Sequence, residues 1–338
     1  MKFSFSAFIK GQRSRRAPVT TADLSGKTIL VVGANAGLGF EATKHFATMK
    51  PGRLILACRS ETRGQEALEK LRAEINCTTA ELWILDLADF GSVQSFADKF
   101  EREGGRLDII LANAATILPK YQPTRQGWET CLQVNCLSMP LLALLLLPHM
   151  VKTAEQYGTV PRIVVVASEV HHWASIERRV VEGPNILGTL GSKEYCTSKA
   201  MGTRYFLTKL LNIMFVRAMN KHLSTTAPIV VNAVNPGYCY SNIRTTFSGF
   251  QALIDSLMER AIALPTEIGS RQLVWAALGM ENKPLGLKGE YISLEKVEEV
   301  SDYILSPEGA TVQERIWTEL VQILTKAERV SEVVNVHL

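Results

Sequence analysis

The sequence predicts an α/β protein: a single doubly wound parallel sheet with helices on both faces and a C-terminal helical addition. Three observations predict it. Short β-branched or apolar runs alternate with longer amphipathic stretches along most of the 338 residues. The first six runs show little polar alternation, as strands covered on both faces do. Strand–helix–strand units repeated in this order imply parallel pairing with right-handed crossovers.

The elements follow in order. A first strand at Thr28–Gly33 enters a glycine turn and a helix at Leu38–Met49. Arg53–Cys58 makes the second strand, followed by Arg59-Ser60 and a helix at Thr62–Ile75. Leu82–Leu85 leads through Asp86-Leu87 to a helix at Val93–Arg102. Leu107–Ala112 leads through Asn113-Ala114-Ala115 to a helix at Trp128–Leu147. Arg162–Ser168 and Ile229–Val234 flank a long helix at Tyr195–His222, and Tyr291–Ile292 is a short last strand. No linker, repeat or low-complexity tract divides the chain. One domain is expected over 24–338, behind an arm at 1–23.

Composition narrows the function. With 46% hydrophobic and 21% charged residues the chain is ordinarily globular,. Its 37 basic and 33 acidic residues are interspersed, which excludes the one-sided field of a nucleic-acid binder,. Six cysteines without a CxxC pair argue against a zinc site or disulfide framework and for a reducing, cytoplasmic setting,. The arm mixes Phe3, Phe5, Phe8 and Ile9 with Lys2, Lys10, Arg13, Arg15 and Arg16, and lacks a secretory h-region,. It folds over the domain, frays, or touches a membrane surface weakly. The run Leu141–Leu147, bracketed by prolines, is too short to cross a bilayer and reads as a buried helix,.

The turn Gly33-Ala-Asn35-Ala-Gly37-Leu38-Gly39 stands between strand and helix, where unpaired N–H groups and the helix dipole favour an anion,. Glycines are needed there because a Cβ would block the turn or the approach of a pyrophosphate. At the end of the second strand an NAD-selecting protein carries a carboxylate for the ribose 2′-hydroxyl. This chain has Arg59, whose planar fork suits a 2′-phosphate,. NADP(H) is therefore the expected dinucleotide; the alternative is that Arg59 only caps the strand in solvent. Asp86, Leu87, Asn113 and Ala114 fall at the carboxyl ends of the third and fourth strands, beside the same crevice,.

Ser168 ends the fifth strand, and Tyr195-Cys-Thr-Ser-Lys199 is read as the opening of a helix. Tyr and Lys four apart share a helix face, so an ammonium can sit beneath a phenol. A free phenol titrates near ~10. A neighbouring cation favours phenolate, so that Tyr195 could exchange a proton with a carbonyl or alcohol oxygen. Ser168 would hydrogen-bond that oxygen, and Asn135 could hold a water linking Lys199 to solvent. A second pair, Tyr205-Phe-Leu-Thr-Lys209, lies ~15 Å further along the same helix and on another face, and is expected to be structural.

Taken together these motifs resemble the short-chain dehydrogenase/reductase family, and within it the retinol-dehydrogenase-like branch, from about Leu24 to Tyr291. The resemblance implies a Rossmann-type oxidoreductase with the tetrad Asn135, Ser168, Tyr195 and Lys199. It implies cofactor contacts at Pro236, Gly237 and Ser241, the last replacing the threonine of the family's Pro-Gly-x-x-x-Thr. It also implies cofactor-first binding and a homodimer seam built from the helices around Leu141–Leu147 and Tyr195–His222; the alternative is that those leucines serve the monomer core. Val32 and Ala112 depart from the family pattern.

Adjacent His171 and His172 are expected to hydrogen-bond within their loop rather than hold a metal. Phe250, Leu253, Ile254, Leu257 and Met258 recur at helical spacing,. In the family this stretch, about 238–262, resembles a substrate lid, and the stripe either covers an apolar ligand or packs on the core. The expected substrate is a lipophilic ketone, aldehyde or alcohol, such as a terpenoid, retinoid, steroid or polyketide, as for a ketoreductase of secondary metabolism. A non-catalytic NADP(H)-binding sensor or scaffold is the contrasting reading. A methyltransferase has no need of Ser168 with Tyr195 and Lys199.

Overall fold

The structure is a computed structural model that describes residues 4–103, 105–224, 228–241, 243 and 249–338. Eight strands form one sheet in the order β3-β2-β1-β4-β5-β6-β7-β8. They are β1 (Thr28–Val32), β2 (Arg53–Cys58), β3 (Ala80–Ile84), β4 (Ile109–Ala112), β5 (Arg162–Val166), β6 (Val230–Val234), β7 (Tyr291–Ser293) and β8 (Lys296–Glu298). The first seven pair in parallel. β8 turns back antiparallel on β7.

Every residue of β1 is buried, and alternate side chains feed two cores. Ile29 and Val31 join Phe46, Leu273 and Val274 on one side, while Leu30 and Val32 join Phe96, Leu142 and Leu210 on the other. This double coverage is why the strands lack polar alternation. The helices are α1 (Phe5–Gln12), α2 (Gly37–Thr48), α3 (Glu61–Ile75), α4 (Phe90–Glu103), α5 (Ser138–Tyr157), α6 (Arg204–His222), α7 (Gly249–Ile262), α8 (Thr266–Leu278), α9 (Pro307–Leu324) and α10 (Glu328–His337). α2 packs on α3 and α8 on the first face, and α4 packs on α5 on the second. The strand order reverses between β1 and β4, so the crevice opens above the carboxyl ends of those strands,.

Two predicted helices are interrupted, and both interruptions matter for the site. Glu129 caps a single turn, Thr130–Leu132, by accepting from the N–H groups of Cys131 (2.8 Å) and Leu132 (2.9 Å). A π-helical turn, Gln133–Leu137, follows before α5 begins. The predicted helix over Tyr195–His222 is in fact two. Thr197 caps a short helix, Ser198–Gly202, by accepting from the Ala200 N–H, and the chain then breaks at Thr203 before α6 starts at Arg204. Tyr195 therefore lies in a turn, outside any helix.

The greasy run is core. Every residue of Leu141–Leu147 is buried to 2% exposure or less. Thr130–Tyr157, the only helix among the described residues long and apolar enough to cross a membrane, has 89% of its most apolar window inside the protein. The chain's own C-terminal helices pack on α5 and α6, the helices expected at a homodimer seam. α9 packs on α6, with the Trp317 ring stacked 5.0 Å from His222 and 6.3 Å from Phe215, and α10 packs on α5. The leucines are buried within the single chain.

Candidate active site

A cleft of about 1130 Å³ opens at the switch point above β1 and β4 and extends to the N-terminal arm. At one end sits the glycine turn. Gly33 has φ +81°, and a Cβ there would stand 2.9 Å from the Cβ of Ala114. At Gly39 a Cβ would meet the Gly33 carbonyl oxygen at 2.2 Å and Asn113 Nδ2 at 2.5 Å. Asn113 Nδ2 donates to that same carbonyl at 3.1 Å, and the Ala114 N–H donates to Val32 at 2.9 Å, so the β4 loop braces the turn. Asn35, Gly37 and Leu38 line the cleft beside it.

Arg59 and Arg63 line the next stretch of the cleft from the end of β2 and the start of α3. Both are exposed. Asp86 is fixed by its own turn: its N–H donates to Ser92 Oγ, and its Oδ1 accepts from the Ala88 N–H, each at 2.9 Å. Asp86 and Leu87 line the cleft there.

On the far side Pro236, Gly237 and Ser241 contribute to the wall. Gly237 takes φ +82°, and Asn235 Oδ1 holds both its N–H (3.1 Å) and that of Glu169 (3.4 Å). The reading of the sequence had no role for Asn235, whose position two residues before the turn glycine is its only signal.

Ser168 reaches the cleft from the end of β5, where its Oγ accepts from the Val170 N–H. His171 Nε2 accepts from the Ser301 N–H (3.2 Å), so Nδ1 carries the proton and donates to the Ser168 carbonyl (2.7 Å). Burial pushes His171 down to about 3, so it is a neutral brace for the Ser168 backbone. The His172 ring lies beside it, tilted by 38°, with ring centroids 4.0 Å apart. Burial also lifts Glu169 to about 7, against the pull of Asn235 and Arg16.

The tyrosine and lysine are the main correction. Neither Tyr195 nor Lys199 lines the cleft; Tyr205 and Lys209 do. Tyr195 donates to Glu177 at 3.3 Å, and burial together with the Glu177 charge raises its phenol, opposite to what proton transfer at neutral pH needs. Lys199 is exposed. The pair fails because Tyr195 precedes the cap at Thr197, so the two residues share no helical face,. Tyr205 instead stands in the first turn of α6, one turn above Lys209, and the lysine Nζ lies 5.3 Å from its ring centroid. Lys209 is buried, donates to the Val166 carbonyl at 2.5 Å, and is lowered by burial to about 8.

Asn135 sits in the π-helical turn with 2% exposure. Its Oδ1 accepts from the Thr116 N–H (2.9 Å), and its Nδ2 donates to the Thr116 carbonyl (3.0 Å) and to Thr208 Oγ1 (3.2 Å). It ties the β4 loop to the residue beside Lys209. Of the expected lid stripe, Leu257 and Met258 are described and Met258 lines the cleft; the side chains of Phe250, Leu253 and Ile254 lie outside the described residues. The arm folds over the domain, with Phe8 and Gln12 buried.

The sequence profile of the short chain dehydrogenase family matches residues 27–178. A short chain dehydrogenase/reductase, dmxR8, of Cryptosporiopsis sp. (strain 8999) is 33% identical over 94% of this chain and 96% of its own. A second, ffsI of Aspergillus flavipes, is 32% identical over 96% of this chain and 93% of its own. Among solved structures, an NADPH-bound carbonyl reductase from chicken fatty liver has the same fold, with a TM-score of 0.56 at 20% identity over 81% of this chain and 99% of that one. Full-length similarity to dmxR8 and ffsI, with the profile match over the glycine turn and first five strands, makes the chain a member of the short-chain dehydrogenase/reductase family.

Proposed function

We propose that the protein is an NADP(H)-dependent oxidoreductase that interconverts a hydrophobic carbonyl compound and its alcohol. One observation carries the reading: Ser168, Tyr205 and Lys209 line the same cleft as a glycine turn whose backbone leaves no room for a Cβ. That turn fits a dinucleotide pyrophosphate, since it presents the start of α2 and its N–H groups to the cleft,. Arg59 and Arg63 would hold a ribose 2′-phosphate, and no carboxylate follows β2 at Arg59-Ser60 to oppose it,. Bound there, the nicotinamide would supply or take up the hydride.

The chain's own residues would handle the oxygen and its proton. The Ser168 hydroxyl donates to the substrate oxygen and stabilises charge developing on it. The Tyr205 hydroxyl gives that oxygen a proton in reduction and takes it back in oxidation. Lys209 holds a positive charge beneath the ring, which favours the phenolate through which Tyr205 must cycle. Asn135 keeps the β4 loop and α6 in register through Thr116 and Thr208. A non-catalytic scaffold would have no use for a lysine buried with no carboxylate partner among the described residues, which is costly to keep charged,.

The substrate end supports a lipophilic ligand, because Leu118, Trp173, Met201, Phe206 and Met258 line it. Coverage of α5 and α6 by α9 and α10 favours a monomer over the two-fold seam. The test is loss of NADPH absorbance against a panel of hydrophobic carbonyls. Turnover with at least one, falling by about 10²–10³ in Ser168→Ala, supports the reading. Full turnover in that variant contradicts it.

A further inference from the structure

The N-terminal arm is built into the cleft. α1 is only eight residues long, too short to hold its helix in water unaided,. Its order comes from two sets of contacts. Gln12, with 4% exposure, donates from Nε2 to the carbonyls of Tyr238 and Ile262 (2.8 Å), and its Oε1 accepts from the Tyr238 N–H (3.1 Å). One side chain thus fastens the arm to both ends of the 238–262 segment, which the Leu264 N–H to Tyr238 bond (2.9 Å) already brings together.

The second set is aromatic. Phe8, with 5% exposure, meets Trp173 at 6.2 Å and Tyr238 at 6.5 Å between ring centroids, with interplanar angles of 77° and 79°. Phe206 continues the wall 6.2 Å from Trp173. All four rings line the cleft, together with Tyr205, whose hydroxyl marks the reacting end. Phe8, Trp173 and Tyr238 pack edge-to-face on one another and together form one aromatic side of the cleft, a wall that suits a flat π-system laid against it,. A flexible aliphatic chain would fill the same space without those geometric contacts.

We propose that α1 is a wall of the substrate subsite, held by Gln12, and that the Phe8–Trp173–Tyr238 cage selects planar, fused-ring aromatic ketones. This rests on the oxidoreductase reading only for the identity of the reacting group; the cage itself is a binding claim.

The test compares phenanthrene-9,10-dione with hexane-2,3-dione in the full-length protein, wild type against Phe8→Leu, Phe8→Tyr and Gln12→Ala. Phe8→Leu keeps apolar volume without a ring, so it retains the fold, and circular dichroism and NADPH affinity check this. Wild type is expected to favour the fused-ring probe at least tenfold in kcat/KM. Phe8→Leu and Gln12→Ala are expected to lose most of that preference, through a higher KM for the fused-ring probe. Phe8→Tyr is expected to keep it. Calorimetric titration of phenanthrene-9,10-dione into the NADP⁺-loaded protein reads the same tenfold loss without turnover. Binding that behaves so in a protein reducing neither probe would support the cage and contradict the oxidoreductase reading. An unchanged preference in Phe8→Leu, no wild-type preference, or an effect of Phe8 only on sedimentation with anionic phosphatidylserine vesicles would overturn the proposal.

Discussion

Gly39→Ala puts the cofactor account under direct strain. An alanine Cβ would stand 2.2 Å from the Gly33 carbonyl oxygen, against the 3.4 Å at which ordinary contact begins, so the turn must yield by roughly 1.2 Å,. The displaced carbonyl is the acceptor of Asn113 Nδ2, so the brace from the β4 loop goes with it. Forced overpacking of this kind costs about 1–3 kcal/mol. If that strain falls on the pyrophosphate cradle, NADPH binds about 5- to 150-fold more weakly, at about tenfold for each 1.4 kcal/mol. The assay is NADPH fluorescence titration. A Kd within threefold of wild type in Gly39→Ala, with unchanged thermal stability, would refute the reasoning.

Three further outcomes are expected. Arg59→Ser should cut the NADPH-over-NADH ratio of kcat/KM by about 10- to 100-fold, the worth of a charge-assisted bond to phosphate, while leaving NADH nearly unaffected; an unchanged ratio would return Arg59 to a solvent cap. Light scattering at micromolar concentration should give a monomer, because freeing α6 for a partner would expose Phe215, Trp317 and Leu320 at roughly 1.5–3 kcal/mol each,; a dimer that survives dilution would contradict the covering role of α9 and α10. Acid should weaken the fold through His171. Its folded value of about 3 lies below the 6.5 of the unfolded chain, so the unfolded state takes up the proton first and stability falls with pH below 6.5,. Between pH 7 and 4.5 that is roughly 3 kcal/mol, read as a urea midpoint shift that His171→Asn should flatten; an identical slope in the variant would reject the neutral brace.

The sheet was legible because its strands are covered on both faces, which writes unbroken apolar runs such as Ile163–Val166 into the sequence. The glycine turn was legible for a steric reason, since Gly33 and Gly39 touch backbone that no other residue would clear. The Tyr/Lys pair was not. Two Tyr-x-x-x-Lys pairs lie ten residues apart, and choosing between them depends on where the helix starts. That start is set by a break at Thr203 and a cap at Thr197, neither of which is a glycine or proline. The β7–β8 hairpin escaped for a similar reason: its turn uses Leu294 and Glu295 at φ +56° and +60°, residues that do not advertise a left-handed backbone,. Gln12, His171 and Asn235 each make a contact distant in sequence, to Ile262, Ser301 and Glu169.

The most direct measurement pairs two conservative variants, Tyr205→Phe and Tyr195→Phe, on one carbonyl substrate with NADPH. Removing the Tyr205 hydroxyl should lower kcat by about 10²–10⁴ with NADPH affinity intact, the range of a lost general acid. Removing the Tyr195 hydroxyl should leave kcat within threefold, since it bonds Glu177 away from the cleft. The reverse pattern, or full turnover without the Tyr205 oxygen, would contradict the site described above.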